Sequence, residues 1–350
     1  TAMRCARHPA AASAAVDAGK GAALTVVLSL LVSFVPVISV LLIHLLPLPA
    51  SYVTAKWGAR TGFVLTLAAS VLSWLFAGPM SGVFTLMLTG GLGVVLGMGL
   101  RRNWGISRLL WASTVAAGLG LAAWLGLSWF LSGLTPAQLA TIAETSFQTV
   151  SGMYAGAGVD QAAIEESLAA TRRLVALLPY LMPGIIMSLG LVLGVVAVAL
   201  AAVILPRLGR VLPVPEGMSL RCLRLHWVTP YGFILGLVLI MAGSWVGDAG
   251  RWLWLAGINL TLVFVTVFFV QGVALTQWLV EVRARSAGQR AGMYALALVG
   301  QFLFLLLTWV GLLDIWLDFR MRYSRRRPQV SDGESVGSKR DGDEEETEWK

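Results

Sequence analysis

Long runs of apolar residues alternate with short polar breaks along most of the chain. About 20 helical residues are needed to cross a hydrocarbon core about 30 Å thick, and most of these runs reach that length. Because lipid offers no partner to free backbone groups, the runs have to be helical. We therefore predict an all-α fold, a polytopic integral membrane helical bundle with eight or nine membrane segments. The segments are 22–40, 42–57, 61–77, 82–100, 109–132, 178–205, 229–247, 252–278 and 293–317.

Polar residues gather in three regions around and within this pattern. Residues 1–20 predict a cytoplasmic leader, 21–320 a transmembrane domain, and 321–350 a basic and then acidic disordered tail. Charge also returns over 133–175. That stretch contains two helix starts, because Pro136 and Gln138 follow a capping Thr135 and because Asp160 can cap a second helix. We interpret 133–175 as a small helical excursion outside the bilayer.

Composition narrows the class of protein further. Hydrophobic residues make up 57% of the chain and charged residues 13%, and the mean hydropathy is +0.78, which excludes an ordinary soluble domain. The net charge of +8 comes from arginines at the ends of apolar runs, so it indicates helix orientation and not a nucleic-acid partner. Cys5 and Cys222 are isolated and far apart, so neither a disulfide framework nor a metal motif is indicated. The partner that the composition predicts is the lipid bilayer.

The basic residues near helix ends predict the orientation. Arg4, Arg7 and Lys20 place the N-terminus in the cytoplasm of a bacterial cell, in a multi-pass protein of the inner membrane. Most later loops agree with this assignment. Nine crossings, however, would place the arginine cluster at 320–327 outside. One segment is therefore miscounted, and the short, proline-interrupted segment 42–57 is the most suspect.

The sequence carries no motif for catalysis. It has no Walker A lysine, no GxSxG and no HExxH, and His44 has no second ligand at metal-binding spacing. We expect no enzymatic activity and no cofactor.

Three amides stand within the last two apolar segments. Asn259, Gln271 and Gln301 are the candidates for a shared ligand cavity. The alternative is that each makes a hydrogen bond between helices, which is the commoner role of an amide at membrane depth.

Two further sets of polar residues are candidates for docking a partner. Thr25, Ser29 and Ser33 recur every fourth residue and so share one helix face. Such small-residue spacing, like that of Gly93 and Gly97, Gly190 and Gly194, Gly232 and Gly236, or Gly243 and Gly247, also serves close packing inside a bundle. The second set is Asp314, Asp318 and Arg320 at the end of the last segment, where ion pairs at the membrane interface are the alternative.

Several C-terminal patterns resemble a known family. Asn259-Leu260 opens an apolar helix, FVQGVA occupies 269–274, and GLLDIWLDFR occupies 311–320. Over roughly 20–320 the chain resembles the YybS-like family of bacterial membrane proteins, whose members are distantly similar to the S components of energy-coupling factor vitamin transporters. The resemblance implies a transport-related, small-molecule binding subunit that relies on partner ATPase and transmembrane subunits. The alternative is a membrane scaffold or regulatory protein without small-molecule cargo, acting through its basic face and tail.

Overall fold

The computed structural model describes residues 8–133, 136–156, 161–208 and 220–325. These residues form helices, and none of them lies in a β-strand. Fourteen α-helices follow one another in this part of the chain. They are α1 (His8–Phe34), α2 (Pro36–Leu42), α3 (Leu48–Trp57), α4 (Ala59–Ala77), α5 (Pro79–Thr85), α6 (Val94–Arg101), α7 (Ile106–Ser132), α8 (Pro136–Gly156), α9 (Gln161–Leu208), α10 (Thr229–Trp245), α11 (Arg251–Arg283), α12 (Ala287–Phe304), α13 (Leu306–Leu317) and α14 (Phe319–Arg325).

Among the described residues, six stretches of helix are long and apolar enough to cross a membrane. They are Ala12–Phe34, Ala59–Ala77, Pro79–Arg101, Ile106–Ser132, Ile164–Leu208 and Arg251–Arg283. The pair α12 and α13 makes a seventh if it is counted as one span, although the two helices are bent by 100°. The chain is therefore a multi-pass helical protein with six or seven candidate spans.

The predicted count of eight or nine segments is not confirmed, for a local reason at each place. The segment predicted at 42–57 is interrupted, because α2 and α3 have only seven and ten residues. Proline at 47 and 49 removes backbone donors there. Helix α10 has 17 residues and is shorter than the other spans. The last predicted segment is divided at Leu305, whose φ of 50° ends α12.

The N-terminal half packs around α3, which contacts α1, α4 and α6. Asp17 on α1 accepts hydrogen bonds from Lys56 at 2.7 Å and from Trp57 at 2.8 Å, at the end of α3. Arg101, the last residue of α6, donates to the carbonyl of Lys56 at 3.1 Å. The start of α1 and the ends of α3 and α6 therefore share one end of the bundle. Helices α2 and α3 together return the chain to the end at which α1 begins.

Glycine lets helices approach closely at several crossings. A Cβ at Gly97 would lie 2.5 Å from the carbonyl oxygen of Ser51. A Cβ at Gly190 would lie 2.7 Å from the backbone of Gly118 on α7, and one at Gly236 would lie 2.6 Å from Thr261 on α11. The predicted packing role of the spaced glycines is confirmed at these positions. Gly247 differs, since nothing lies within 4 Å of its Cβ position.

The middle of the chain forms a helical hairpin. Helix α8 packs against the first part of the 48-residue α9, and Arg172 pairs with Glu144 at 2.7 Å. The excursion predicted at 133–175 is thus helical where it is described. The predicted caps at Thr135 and Asp160 lie outside the described residues.

The C-terminal helices pack along α11. A Cβ at Gly272 of α11 would overlap the carbonyl of Leu307, and one at Gly311 of α13 would overlap the backbone of Phe268. A second left-handed residue, Asp318 with φ 41°, separates α13 from α14. Helix α13 packs along α11, and the turns at Leu305 and Asp318 set where α13 begins and ends.

A candidate ligand cavity and the polar cluster beside it

A cavity of about 330 Å³ lies where α7, α9 and α11 meet the segment 220–229. This volume is at the lower end of the range for small-molecule pockets. Most of its wall is apolar. The apolar lining comes from Leu110 and Trp111 of α7, Leu191 and Val195 of α9, Leu223 and Leu225 of the connecting segment, and Val267 and Val270 of α11.

A few polar groups interrupt this wall. Ser107 and Thr114 stand on α7, and Arg224 and His226 on the connecting segment. Thr114 is 3% exposed, and its hydroxyl has no hydrogen-bond partner among the described residues. Thr114 lies at the crossing of α7 and α9, where a Cβ at Gly194 would lie 2.7 Å from its backbone nitrogen. Ser107 and Thr114 are seven residues apart, so the cavity extends about 10 Å along α7.

Arg224 already has one anionic partner. Its Nη1 lies 3.6 Å from Oδ2 of Asp318, at the turn between α13 and α14. The two side chains are 56% and 47% exposed. The cation at the cavity therefore sits in a loose, accessible ion pair, which is the kind that contributes little to stability.

A tighter polar cluster lies next to the cavity, between α11, α13 and α14. The Gln271 side chain donates to Oδ2 of Asp314 at 2.8 Å. The Arg320 Nε lies 3.9 Å from the same oxygen, and the side chains of Asp314 and Arg320 are each 4% exposed. Oδ1 of Asp314 accepts from the backbone N–H of Phe319 at 3.2 Å, which fixes the start of α14. The buried Asp314 carboxylate thus contacts the Gln271 amide, the Arg320 guanidinium and the first backbone N–H of α14.

Arg320 connects this cluster to the cavity wall. Its Nη1 donates to the carbonyls of Arg221 at 2.6 Å and Leu223 at 3.0 Å. The same segment is tied to the end of α11, because Arg221 pairs with Glu281 at 2.6 Å. The buried cluster therefore holds the segment that presents Arg224 and His226 to the cavity.

The three predicted amides do not meet in one cavity. Asn259 and Gln271 are 12 residues apart on α11, which is about 18 Å along the helix. Asn259 accepts from the N–H of Gly184 at 2.7 Å and donates to the carbonyl of Tyr180 at 2.9 Å. Those groups flank Pro183, which interrupts the hydrogen bonding of α9. Asn259 thus joins α11 to the weakened part of α9.

Gln301 has a local role as well. Its Oε1 accepts from the N–H groups of Leu307 at 3.1 Å and Thr308 at 3.4 Å. These are free donors at the start of α13, so Gln301 caps that helix across the bend. It also lines an apolar hollow beside Phe269 and Val273.

The residues predicted for partner docking lie mostly inside the protein. Thr25 and Ser29 are fully buried, and the Ser29 hydroxyl is 2.7 Å from the Thr85 hydroxyl on α5. Ser33 is exposed and hydrogen-bonds to Ser81 at 3.1 Å. In the C-terminal set, Asp314 and Arg320 are buried, and Asp318 is half-exposed. Packing within the bundle accounts for the buried members of both sets.

Sequence reasoning did not single out Arg224, His226 or Thr114 as site residues. The stretch RCLRLH at 221–226 places Arg224 and His226 close together, but a basic loop of this kind indicates only orientation. Thr114 carries no signal, because an isolated threonine in an apolar helix usually bonds to its own backbone.

One family model matches most of the chain. A model described as a predicted membrane protein (DUF2232) matches residues 23–315. The chain belongs to this family. No curated protein and no solved structure matches the chain. The match confirms neither the YybS-like name nor the similarity to S components, so both resemblances stay predictions.

The DUF2232 match covers most of the site. It includes the helices that line the cavity and the buried pair Gln271 and Asp314. Asp318 and Arg320, the two residues that connect to the segment 220–229, follow the matched range.

Proposed function

We propose that this DUF2232 protein is a transport-related binding subunit of the bacterial inner membrane, and that its small-molecule cargo occupies the cavity between α7, α9 and α11. The observation that carries the proposal is an apolar cavity whose lining includes Ser107, Arg224 and His226. An apolar pocket with a few convergent polar groups is the usual form of a ligand site.

In this proposal the energy for transport comes from partner ATPase and transmembrane subunits. The sequence contains no Walker A lysine motif with which the chain could bind nucleotide by itself. The resemblance to S components gives the same division of labour.

We infer that α12 and α13 form a re-entrant pair and not a full crossing. Helix α12 begins four residues after α11 ends, at Ala287. Helix α14 lies beside the same end of α11, because Arg320 bonds to the segment that Arg221 ties to Glu281. Both ends of the pair thus meet one face of the bundle. The arginines after 320 then stay on the cytoplasmic side together with the N-terminus, which removes the conflict in the charge count.

Cysteine labelling in oriented membrane vesicles tests this arrangement. With Cys5 and Cys222 replaced by serine, we expect Gly288→Cys and Met321→Cys to react with an impermeant maleimide from the cytoplasmic side. Ala249→Cys, between α10 and α11, is expected to react from the opposite side. Labelling of positions 288 and 321 from opposite sides would show that the pair crosses the membrane.

Native mass spectrometry tests the binding proposal. The full chain is purified in nanodiscs formed from its own membrane, and co-purifying small molecules and subunits are identified. We expect a bound metabolite together with an ATPase. Val267→Phe, which places a larger side chain in the cavity wall, is expected to lose the metabolite. Leu253→Phe, at an exposed position of the same helix, is the matched control and is expected to keep it.

The proposal would be contradicted if neither the parent protein nor the two variants carried a metabolite and no ATPase co-purified. Co-purification of unrelated cytoplasmic proteins in that case would favour a scaffold that acts through the basic face.

A further inference from the structure

We propose that the cavity ligand is a small amphipathic carboxylate, whose acid group takes the place of the Asp318 carboxylate on Arg224. This inference rests on the proposed function and names the chemical class of its ligand.

The first step is the charge at the cavity. Arg224 is a cavity residue and also one half of an exposed ion pair with Asp318, with 3.6 Å between Nη1 and Oδ2. At that separation, and with both side chains about half exposed, the pair is weak. A ligand carboxylate that reaches Arg224 at hydrogen-bond distance forms a shorter, charge-assisted contact.

The second step is the exchange itself. Arg224 binds a carboxylate before the ligand arrives, so replacing Asp318 by a ligand carboxylate leaves the charge at the cavity balanced. Asp318 is about half exposed, and its Oδ1 accepts from the backbone N–H of Met321 at 3.1 Å, so Oδ2 can be solvated after it leaves Arg224 while Oδ1 keeps its partner. An uncharged ligand of the same shape gains nothing from the exchange, because Arg224 then stays with Asp318.

The third step is the shape of the remaining space. Apart from Arg224 and a few other polar groups such as Ser107 and His226, the wall is apolar. It is formed largely by Leu110 and Trp111 on α7 and Val267 and Val270 on α11. A cavity of about 330 Å³ that extends about 10 Å along α7 suits one short apolar chain. The ligand class that fits this space is therefore a single-chain acid.

The position of Arg224 depends on the buried cluster. Arg320 donates to the carbonyls of Arg221 and Leu223, which are three residues and one residue before Arg224. Asp318 belongs to the turn that follows Asp314 in the same cluster. When the ligand displaces the Asp318 carboxylate, the turn between α13 and α14 thus loses its ion pair with Arg224.

Photolabelling tests the proposal with two matched probes. The full chain in nanodiscs of zwitterionic lipid is labelled with a diazirine analogue of octanoic acid, or with the corresponding octanol analogue. The labelled peptides are quantified by mass spectrometry. Labelling of α4, which carries exposed apolar residues such as Phe63 and Trp74, serves as the internal reference for probe dissolved in lipid.

We expect the acid to label peptides of α7 and of the segment 220–229 about tenfold more strongly than the alcohol, relative to α4. Unlabelled octanoate competes with the acid probe for the cavity. Arg224→Gln should raise the octanoate concentration that halves the labelling about tenfold. Asp318→Asn should lower that concentration about threefold, because the competing carboxylate is gone. Arg102→Gln, which removes an exposed cation outside the cavity lining, should leave that concentration unchanged.

The other outcomes separate the two proposals. Equal labelling of the cavity by acid and alcohol would overturn the carboxylate class but leave the cavity as a binding site. Dependence on Arg224 without tightening in Asp318→Asn would overturn the exchange. Absence of cavity labelling by both probes would overturn the ligand class and count against the proposed binding function as well.

Discussion

The two halves of this protein bury polar groups in different ways. In α1 to α7 the buried polar residues of the described chain are hydroxyls, and in α11 to α14 they include an amide, a carboxylate and a guanidinium. The first set is Thr25, Ser29, Ser51, Thr54, Thr66, Ser70, Ser73, Thr85, Thr89, Ser113 and Thr114. The second set is Gln271, Thr308, Asp314 and Arg320.

The difference lies in what each group needs from the rest of the fold. A hydroxyl can bond to its own helix, as Thr25 does to the carbonyl of Gly21 and Thr66 to that of Gly62. Such a helix can enter the bilayer before its neighbours are in place. A buried carboxylate or guanidinium needs a specific distant partner, because its desolvation is expensive. The C-terminal helices therefore depend on one arrangement, and that arrangement adjoins the cavity.

The largest effect is expected from breaking the buried cluster. Arg320→Met removes the guanidinium beside Asp314 and both bonds to the carbonyls of the segment 220–223. Loss of one partner of a buried ion pair costs about 3 kcal/mol or more. Equilibrium unfolding in mixed micelles measures the change in free energy. Arg322→Met, at an exposed position two residues away, is the control and should unfold like the parent. Equal stability of the two variants would remove the distinction between the halves.

An intermediate effect is expected where helices cross closely in either half. A methyl group at Gly97 would press on the backbone of Ser51, and one at Gly272 would overlap Leu307. Gly97→Ala and Gly272→Ala should each lose about 1 to 3 kcal/mol, the usual cost of overpacking. Gly126→Ala on α7 is the control, since nothing lies within 4 Å of its Cβ position. A loss in one half alone would mean that close packing, too, differs between the halves.

The smallest effect is expected from the hydroxyls. Ser29→Ala removes the contacts with Thr85 at 2.7 Å and Ser81 at 3.2 Å. Hydrogen bonds between membrane helices contribute about 0.6 kcal/mol on average, so the loss should be of that order. Ser244→Ala serves as the reference, because Ser244 is exposed and bonds to Met241 of its own helix. A loss as large as that of Arg320→Met would show that the hydroxyls also form an interdependent cluster.

Sequence reasoning described single helices better than it described breaks. The runs at 61–77 and 252–278 were predicted close to the observed bounds of α4 and α11, because a long apolar run in lipid has to be helical. The run at 293–317 was predicted as one segment. Its division at Leu305 depends on Gln301, which caps the second helix across the bend. Hydropathy carries no information about that hydrogen bond.

By itself the sequence determined that this protein is a helical membrane protein, since its apolar runs and charged ends leave no soluble alternative. Only the tertiary structure decided which polar residues meet. Gln271 and Asp314 are 43 residues apart, and Arg320 and Leu223 are 97 residues apart. Contacts across such distances follow from the bends at Leu305 and Asp318 and from the glycine crossings of α11 and α13. Backbone geometry of that kind is set by packing between helices, and no local pattern along the chain records it.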